Sequence, residues 1–127
     1  MSYRILIVDD SAATRALIAS ALETDPEFEV TETASGFEAL RALPQGRFDL
    51  ILTDINMPDI NGLELVRFIK TSPLYKDKPL IIISSLQGGT ERRRGLALGA
   101  TDYVVKPFDP DALLQLCRSY LGAPPRS

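Results

Sequence analysis

The chain has 127 residues, a net charge of −3 and no histidine. A length in this range predicts one domain, able to bury roughly 68% of its unfolded surface without staples. The mild acidity argues against general nucleic-acid binding. The missing histidine removes Ser-His-Asp and Cys-His catalysis, and it also removes histidine-ligated zinc.

Met1-Ser2-Tyr3-Arg4 leads directly into Ile5-Leu6-Ile7-Val8, read as a first strand, so no signal peptide is expected. Ser11 is a good N-cap. After it, Ala13, Leu17 and Ala21, with Ile18 and Leu22, fall on one face of a first helix. Phe28–Thr33 alternates apolar and polar residues and suits an edge strand. Phe37, Leu40 and Leu43 mark a short second helix that stops before Pro44. Leu50–Thr53 is a second fully apolar strand. Gly62 is expected to supply a special backbone angle before a third helix, marked by Leu63, Val66 and Ile69. Leu80–Ser84 is a third apolar strand. The fourth helix runs from Glu91 to Leu98 and is stopped by Gly99, a natural left-handed cap. Tyr103–Val105 is a last strand. The fifth helix spans Asp111 to Leu121, with Pro110 near its first turn.

No apolar run approaches the ~20 residues of a membrane span. Cys117 falls among Leu113, Leu114 and Leu116 and is expected to be buried and inert. A single cysteine excludes an intrachain disulfide and suggests a reducing, cytoplasmic setting. Residues 1–121 are expected to form the domain, and 122–127 a frayed tail.

Strand and helix alternate five times, which predicts a doubly wound α/β sandwich of three layers. Strands that are apolar throughout belong in a parallel sheet covered on both faces. In such sheets ligands sit beyond the carboxyl ends of the strands, at a topological switch point. Asp9, Asp10 and Asp54 all fall at that edge. At an effective dielectric near 20 and about 4 Å, each like-charge pair costs roughly 4 kcal/mol. Such a cluster requires a proton or a cation.

Four motifs then stand at four strand ends in order. They are Asp9-Asp10, Asp54 in Asp-Ile-Asn-Met-Pro, Ser84, and Lys106-Pro107-Phe108. With them the chain resembles the receiver domain of two-component response regulators in its stand-alone, CheY-like form. The resemblance runs from Arg4 to about Leu121. It implies a flavodoxin-like sheet in the order 2-1-3-4-5.

The resemblance also implies roles. Asp54 would be the phospho-accepting nucleophile. Asp10, Asp54 and the backbone carbonyl of Asn56 would hold Mg²⁺, with Asp9 acting through a bound water. Lys106 would contact the phosphate, aimed inward by a cis bond to Pro107. Ser84 would be the switch hydroxyl, with Ser85 as a neighbouring competitor. Tyr103 would be the aromatic switch, swinging inward on phosphorylation. Each residue also has a plainer reading: a turn cap for Asp54, a helix-dipole pair for Asp9-Asp10, a surface lysine, a strand end and an edge aromatic.

The implied partner is a sensor histidine kinase or phosphotransfer protein. A downstream protein would be met through the fourth helix, fifth strand and fifth helix. A monomer is expected, with neither nucleic acid nor membrane insertion. Arg92-Arg93-Arg94 reads either as a solvated face or as a docking patch. The implied function is a phosphorylation-activated switch, of chemotaxis type, that promotes only its own phosphorylation and dephosphorylation. The alternatives are a receiver excised from a longer regulator, a phosphorelay intermediate, or an interaction module without the chemistry. A phosphatase is disfavoured because Asp54 is followed by Ile55-Asn56 rather than an Asp-x-Asp pattern.

Gln87-Gly88-Gly89 predicts a flexible loop. Leu86, two residues past Ser84, is a position where many relatives carry a polar side chain. A leucine cannot orient an attacking water, so slow loss of an acyl phosphate is expected. Leu86→Glu should hasten that decay; equal or slower decay in the mutant would refute the assignment.

Overall fold

A computed structural model describes residues 2–85 and 89–123. Five strands and five helices alternate: β1 Tyr3–Val8, α1 Ala12–Glu23, β2 Phe28–Thr33, α2 Gly36–Ala42, β3 Leu50–Thr53, α3 Gly62–Thr71, β4 Leu80–Ser84, α4 Gly89–Ala97, β5 Asp102–Val105 and α5 Pro110–Tyr120. All pairings are parallel and the sheet order is β2-β1-β3-β4-β5. This is the expected doubly wound sheet. Leu86 and the expected loop residues Gln87 and Gly88 lie outside the described residues. Gly89, assigned to that loop, is instead the first residue of α4.

The central strands are apolar throughout because successive side chains point to opposite faces and both faces are covered. Leu6, Val8, Ile51, Leu80 and Ile82 face a core built with Ala39, Leu65, Val66 and Ile69 from α2 and α3. Ile5, Ile7, Leu50, Leu52, Ile81 and Ile83 face the opposite core, with Ile18, Leu22, Leu113 and Cys117 from α1 and α5. Burial pushes the Cys117 thiol up to about 12, so it stays protonated and inert at neutral pH.

Three local expectations change. In α1 the buried stripe is Ile18, Ala19, Ala21 and Leu22, whereas Leu17 is 61% exposed and Ala13 is exposed too. Steps of four advance about 40° per step around a helix, so the Ala13–Leu17–Ala21 ridge reaches the core only at Ala21. Phe37 of α2 is likewise exposed, and Ala39 takes its place inside. Gly62 does not have a positive φ. Its requirement is space: a β-carbon there would lie 2.1 Å from Ile55 Cα. A left-handed glycine does end α4, at Gly99 with φ +110.

Gly122 and Ala123, the first two residues of the expected tail, close α5. Gly122 has φ +73, its amide donates to the Ser119 carbonyl at 3.3 Å, and the Ala123 amide donates to the Arg118 carbonyl at 2.9 Å. That pair of bonds is a Schellman closure of α5. Ala123 is the last described residue, and 124–127 lie outside the described residues.

Arg118, near the end of α5, is only 2% exposed. Its guanidinium pairs with the buried Asp25 carboxylate and with Glu27 Oε1 at 3.2 Å, and it lies over the Phe28 ring. This pins α5 to the α1–β2 connection. Removing the buried carboxylate leaves the buried guanidinium with only the partly exposed Glu27, at a cost of roughly 3 kcal/mol. Asp25→Ala should lose about that much in urea unfolding; an unchanged midpoint would show that the pair contributes no net stability.

Candidate functional site

The strand register builds the site. Val8 of β1 pairs with Thr53 of β3, so Asp9 and Asp54 leave neighbouring strands side by side. The Asp54 amide donates to the Val8 carbonyl at 2.9 Å, and the Asp9 amide to the Thr33 carbonyl at 3.2 Å. On the other flank Ser84 pairs with Val105, and the Lys106 amide donates to the Ser84 carbonyl at 2.8 Å. The order reverses between β1 and β3, which makes this edge the switch point of the sheet.

Three carboxylates do converge. Asp9, Asp10 and Asp54 each place an oxygen within 4.8 Å of the others. Asp9 and Asp54 are buried and Asp10 is exposed. The Lys106 amine sits between the buried pair, 3.1 Å from Asp9 Oδ2 and 3.3 Å from Asp54 Oδ2. The remaining oxygens accept backbone amides: Asp9 Oδ1 from Ser11 at 2.9 Å and Asp54 Oδ1 from Asn56 at 3.1 Å. Each buried carboxylate thus gives one oxygen to the backbone and one to the ammonium.

Burial alone pulls the Lys106 amine down. The Asp9 hydrogen bond and the charges of Asp54 and Asp9 outweigh it, and the amine is held above its usual value.

Three carboxylate oxygens form a hard donor set of the kind Mg²⁺ prefers, and the exposed Asp10 leaves one side open to water. The residues present therefore fit a divalent cation.

The other expected residues fall as follows. Ser84 is fully buried at the end of β4, whereas Ser85 is exposed, which separates the two competitors. The Lys106–Pro107 bond is cis. Tyr103 is 5% exposed and packs in the core on the α2–α3 side. The ring expected to swing inward on phosphorylation is already inside here. Arg92, Arg93 and Arg94 are all exposed, and Arg94 lines a groove with Asn56, Met57 and Glu91.

Sequence reading missed Arg15. Its Nη1 donates to the Asp9 carbonyl at 2.7 Å and its Nε pairs with Glu32 at 3.4 Å. The available signal was its place one turn past the Ser11 cap, directly behind the acidic pair. A second, apolar hollow lies beside Lys106, lined by Thr14, Leu17, Ser85, Pro107, Phe108 and Pro110. This is where the misassigned Leu17 points.

A doubly wound sheet with an acidic cluster at its switch point, closed by a lysine just past the last strand, defines a class of α/β proteins. The chain belongs, within that class, to the response regulator receiver domain family, which it matches over residues 5–118. A CheY homolog of Campylobacter jejuni is 35% identical over 94% of this chain and 92% of its own length. Chemotaxis response regulator CheY4 of Vibrio cholerae superposes with a TM-score of 0.87 at 33% identity, covering 94% of this chain and 99% of that one. The receiver domain of a sensor histidine kinase from Pseudomonas aeruginosa, solved with a magnesium ion in its active-site cleft, gives 0.84 at 29% identity, covering 97% and 100%.

The ammonium's contribution to stability follows from its raised value. It is fully present below about pH 10.5, the unfolded value, and is lost as pH rises through the folded one. Lys106→Met should therefore cost about 1–3 kcal/mol at pH 7. The gap from wild type should narrow above pH 10.5 in thermal melts. A gap independent of pH would contradict the pairing.

Proposed function

We propose that the chain is a phosphorylation-activated signalling switch and that Asp54 is its phospho-acceptor. The observation that carries this reading is the Lys106 ammonium held between the Asp9 and Asp54 carboxylates at the sheet's switch point. A carboxylate oxygen of Asp54 attacks phosphorus, the phosphorus–donor bond breaks, and the donor leaves with the electron pair. The product is an acyl phosphate on Asp54.

Asp10, Asp54 and the Asn56 carbonyl are the proposed direct Mg²⁺ ligands, with Asp9 behind a water. Bound there, Mg²⁺ supplies positive charge to the phosphoryl oxygens. The chain's own residues do the rest. Lys106 turns its amine from the carboxylate pair toward the new phosphoryl oxygens. The Ser84 hydroxyl, at the end of the neighbouring strand, donates to a phosphoryl oxygen. Moving Ser84 shifts β4 and the start of α4 against Tyr103, which biases two conformations of the same fold.

Helix α4 suits such a role. Gly95 is its one buried residue, placed so that a β-carbon would come within 2.4 Å of Ile82 Cδ1. A shift of Ile82 in β4 would be felt directly at that contact. We assign its face, with β5 and α5, to a downstream protein. The apolar hollow beside Lys106 suits the phosphodonor, a histidine kinase or phosphotransfer protein, because Lys106, which lines it, contacts the Asp54 carboxylate. Because the sequence has no histidine, a phosphohistidine donor would be a separate protein. The likeness to chemotaxis regulators favours motility control as the pathway, and the reading is of a switch that turns over only its own phosphate.

Incubation with a small phosphodonor and Mg²⁺ should put one phosphate on each chain, and Asp54→Ala should abolish it. Persistent labelling of that mutant would refute the assignment.

A further inference from the structure

The loop between β3 and α3, residues 55–61, carries Asn56 and is fastened at three places. Its ends are closed by the Gly62 amide, which donates to the Ile55 carbonyl at 3.2 Å. Near its far end, Ile60 fits against Gly36, where a β-carbon would come within 1.7 Å of Ile60 Cγ2. Between them, Asp59 reaches out of the loop to the start of α2. Its Oδ2 accepts the Phe37 amide at 3.0 Å and its Oδ1 the Gly36 amide at 3.3 Å. The Phe37 amide, before all other influences, holds this exposed carboxyl below its usual value.

Helix α2 already has its own cap. Ser35 Oγ accepts the Glu38 amide at 3.1 Å, the ordinary side chain–backbone closure of a helix start. Asp59 therefore does something beyond ending α2: it ties a loop of the site to a packed element of the fold. The Asn56 amide at the other side of that loop meets Asp54 Oδ1 at 3.1 Å. Any drift of the loop moves the Asn56 backbone relative to the acceptor carboxylate.

We propose that Asp59 is a positioning residue for the acceptor site, holding the Asn56 backbone in place by anchoring its loop on α2. The inference rests on the metal reading above, in which the Asn56 carbonyl is a ligand. Mg²⁺ demands near-ideal octahedral geometry, so a loosened ligand weakens binding sharply. Partners that orient a ligand from outside the coordination shell are worth on the order of tenfold in metal affinity.

The test is a calorimetric Mg²⁺ titration of wild type, Asp59→Ala, Asp59→Asn and Ser35→Ala, with thermal melts of each. Both alanine variants remove a cap of α2 and should melt lower. Only Asp59→Ala should lose affinity, on the order of tenfold. Asp59→Asn, which keeps one acceptor oxygen, should fall between it and wild type, and it answers the question if the alanine variant fails to fold. Affinity in the Asp59 variants within twofold of wild type would overturn the inference. So would an equal loss in Ser35→Ala, which would make the effect one of helix stability. If wild type itself binds no Mg²⁺, the metal reading fails and the inference falls with it.

Discussion

One ammonium shared by two buried carboxylates is the contact on which the site depends. At an effective dielectric near 20, two carboxylates about 4 Å apart repel by roughly 4 kcal/mol. The Lys106 amine meets both Asp9 and Asp54 and turns that repulsion into a bridge. The bridge spans the sheet from β5 across β4 to β3 and β1, so it ties together the elements on both sides of the switch point. It also leaves Asp10 facing water, where negative charge accumulates at the mouth of the site.

The bridge is possible only because the register is fixed. Pairing Val8 with Thr53 sets two aspartates side by side, and pairing Ser84 with Val105 sets the lysine one residue beyond a small side chain. A slip of one residue in any strand would turn these side chains to the other face. Burial on both faces prevents that slip, because each central strand alternates strictly between two apolar clusters. The core's contribution to function is thus positional. Outward from it, the loop after Asp54 is held by Gly62 and Asp59, while α4 buries only Gly95.

Much of this was legible in the residues. The uninterrupted runs Ile5–Val8, Leu50–Thr53 and Leu80–Ser84 can only be strands buried on both faces, and their ends carry the reactive groups. Both Gly99 and the Ser11 cap were readable from local chemistry. What escaped was whatever depends on partners distant in the chain. The choice between the Leu17 and Ile18 ridges of α1 turns on where α5 packs, which no local period records. Gly62 was given a backbone angle when it supplies room for Ile55, a contact seven residues away. Arg118 with Asp25 and Asp59 with α2 join residues 93 and 22 apart, and polar pairs at such distances leave no mark in a hydrophobic pattern.

The most direct measurement is a crystal structure of the chain with Mg²⁺ and beryllofluoride, a phosphoryl mimic. The beryllium should bond to an Asp54 carboxylate oxygen, with the Lys106 amine and the Ser84 hydroxyl on its fluorines and the metal on Asp10, Asp54 and the Asn56 carbonyl. A bare Asp54 with Lys106 still bridging Asp9 and Asp54 would contradict the account.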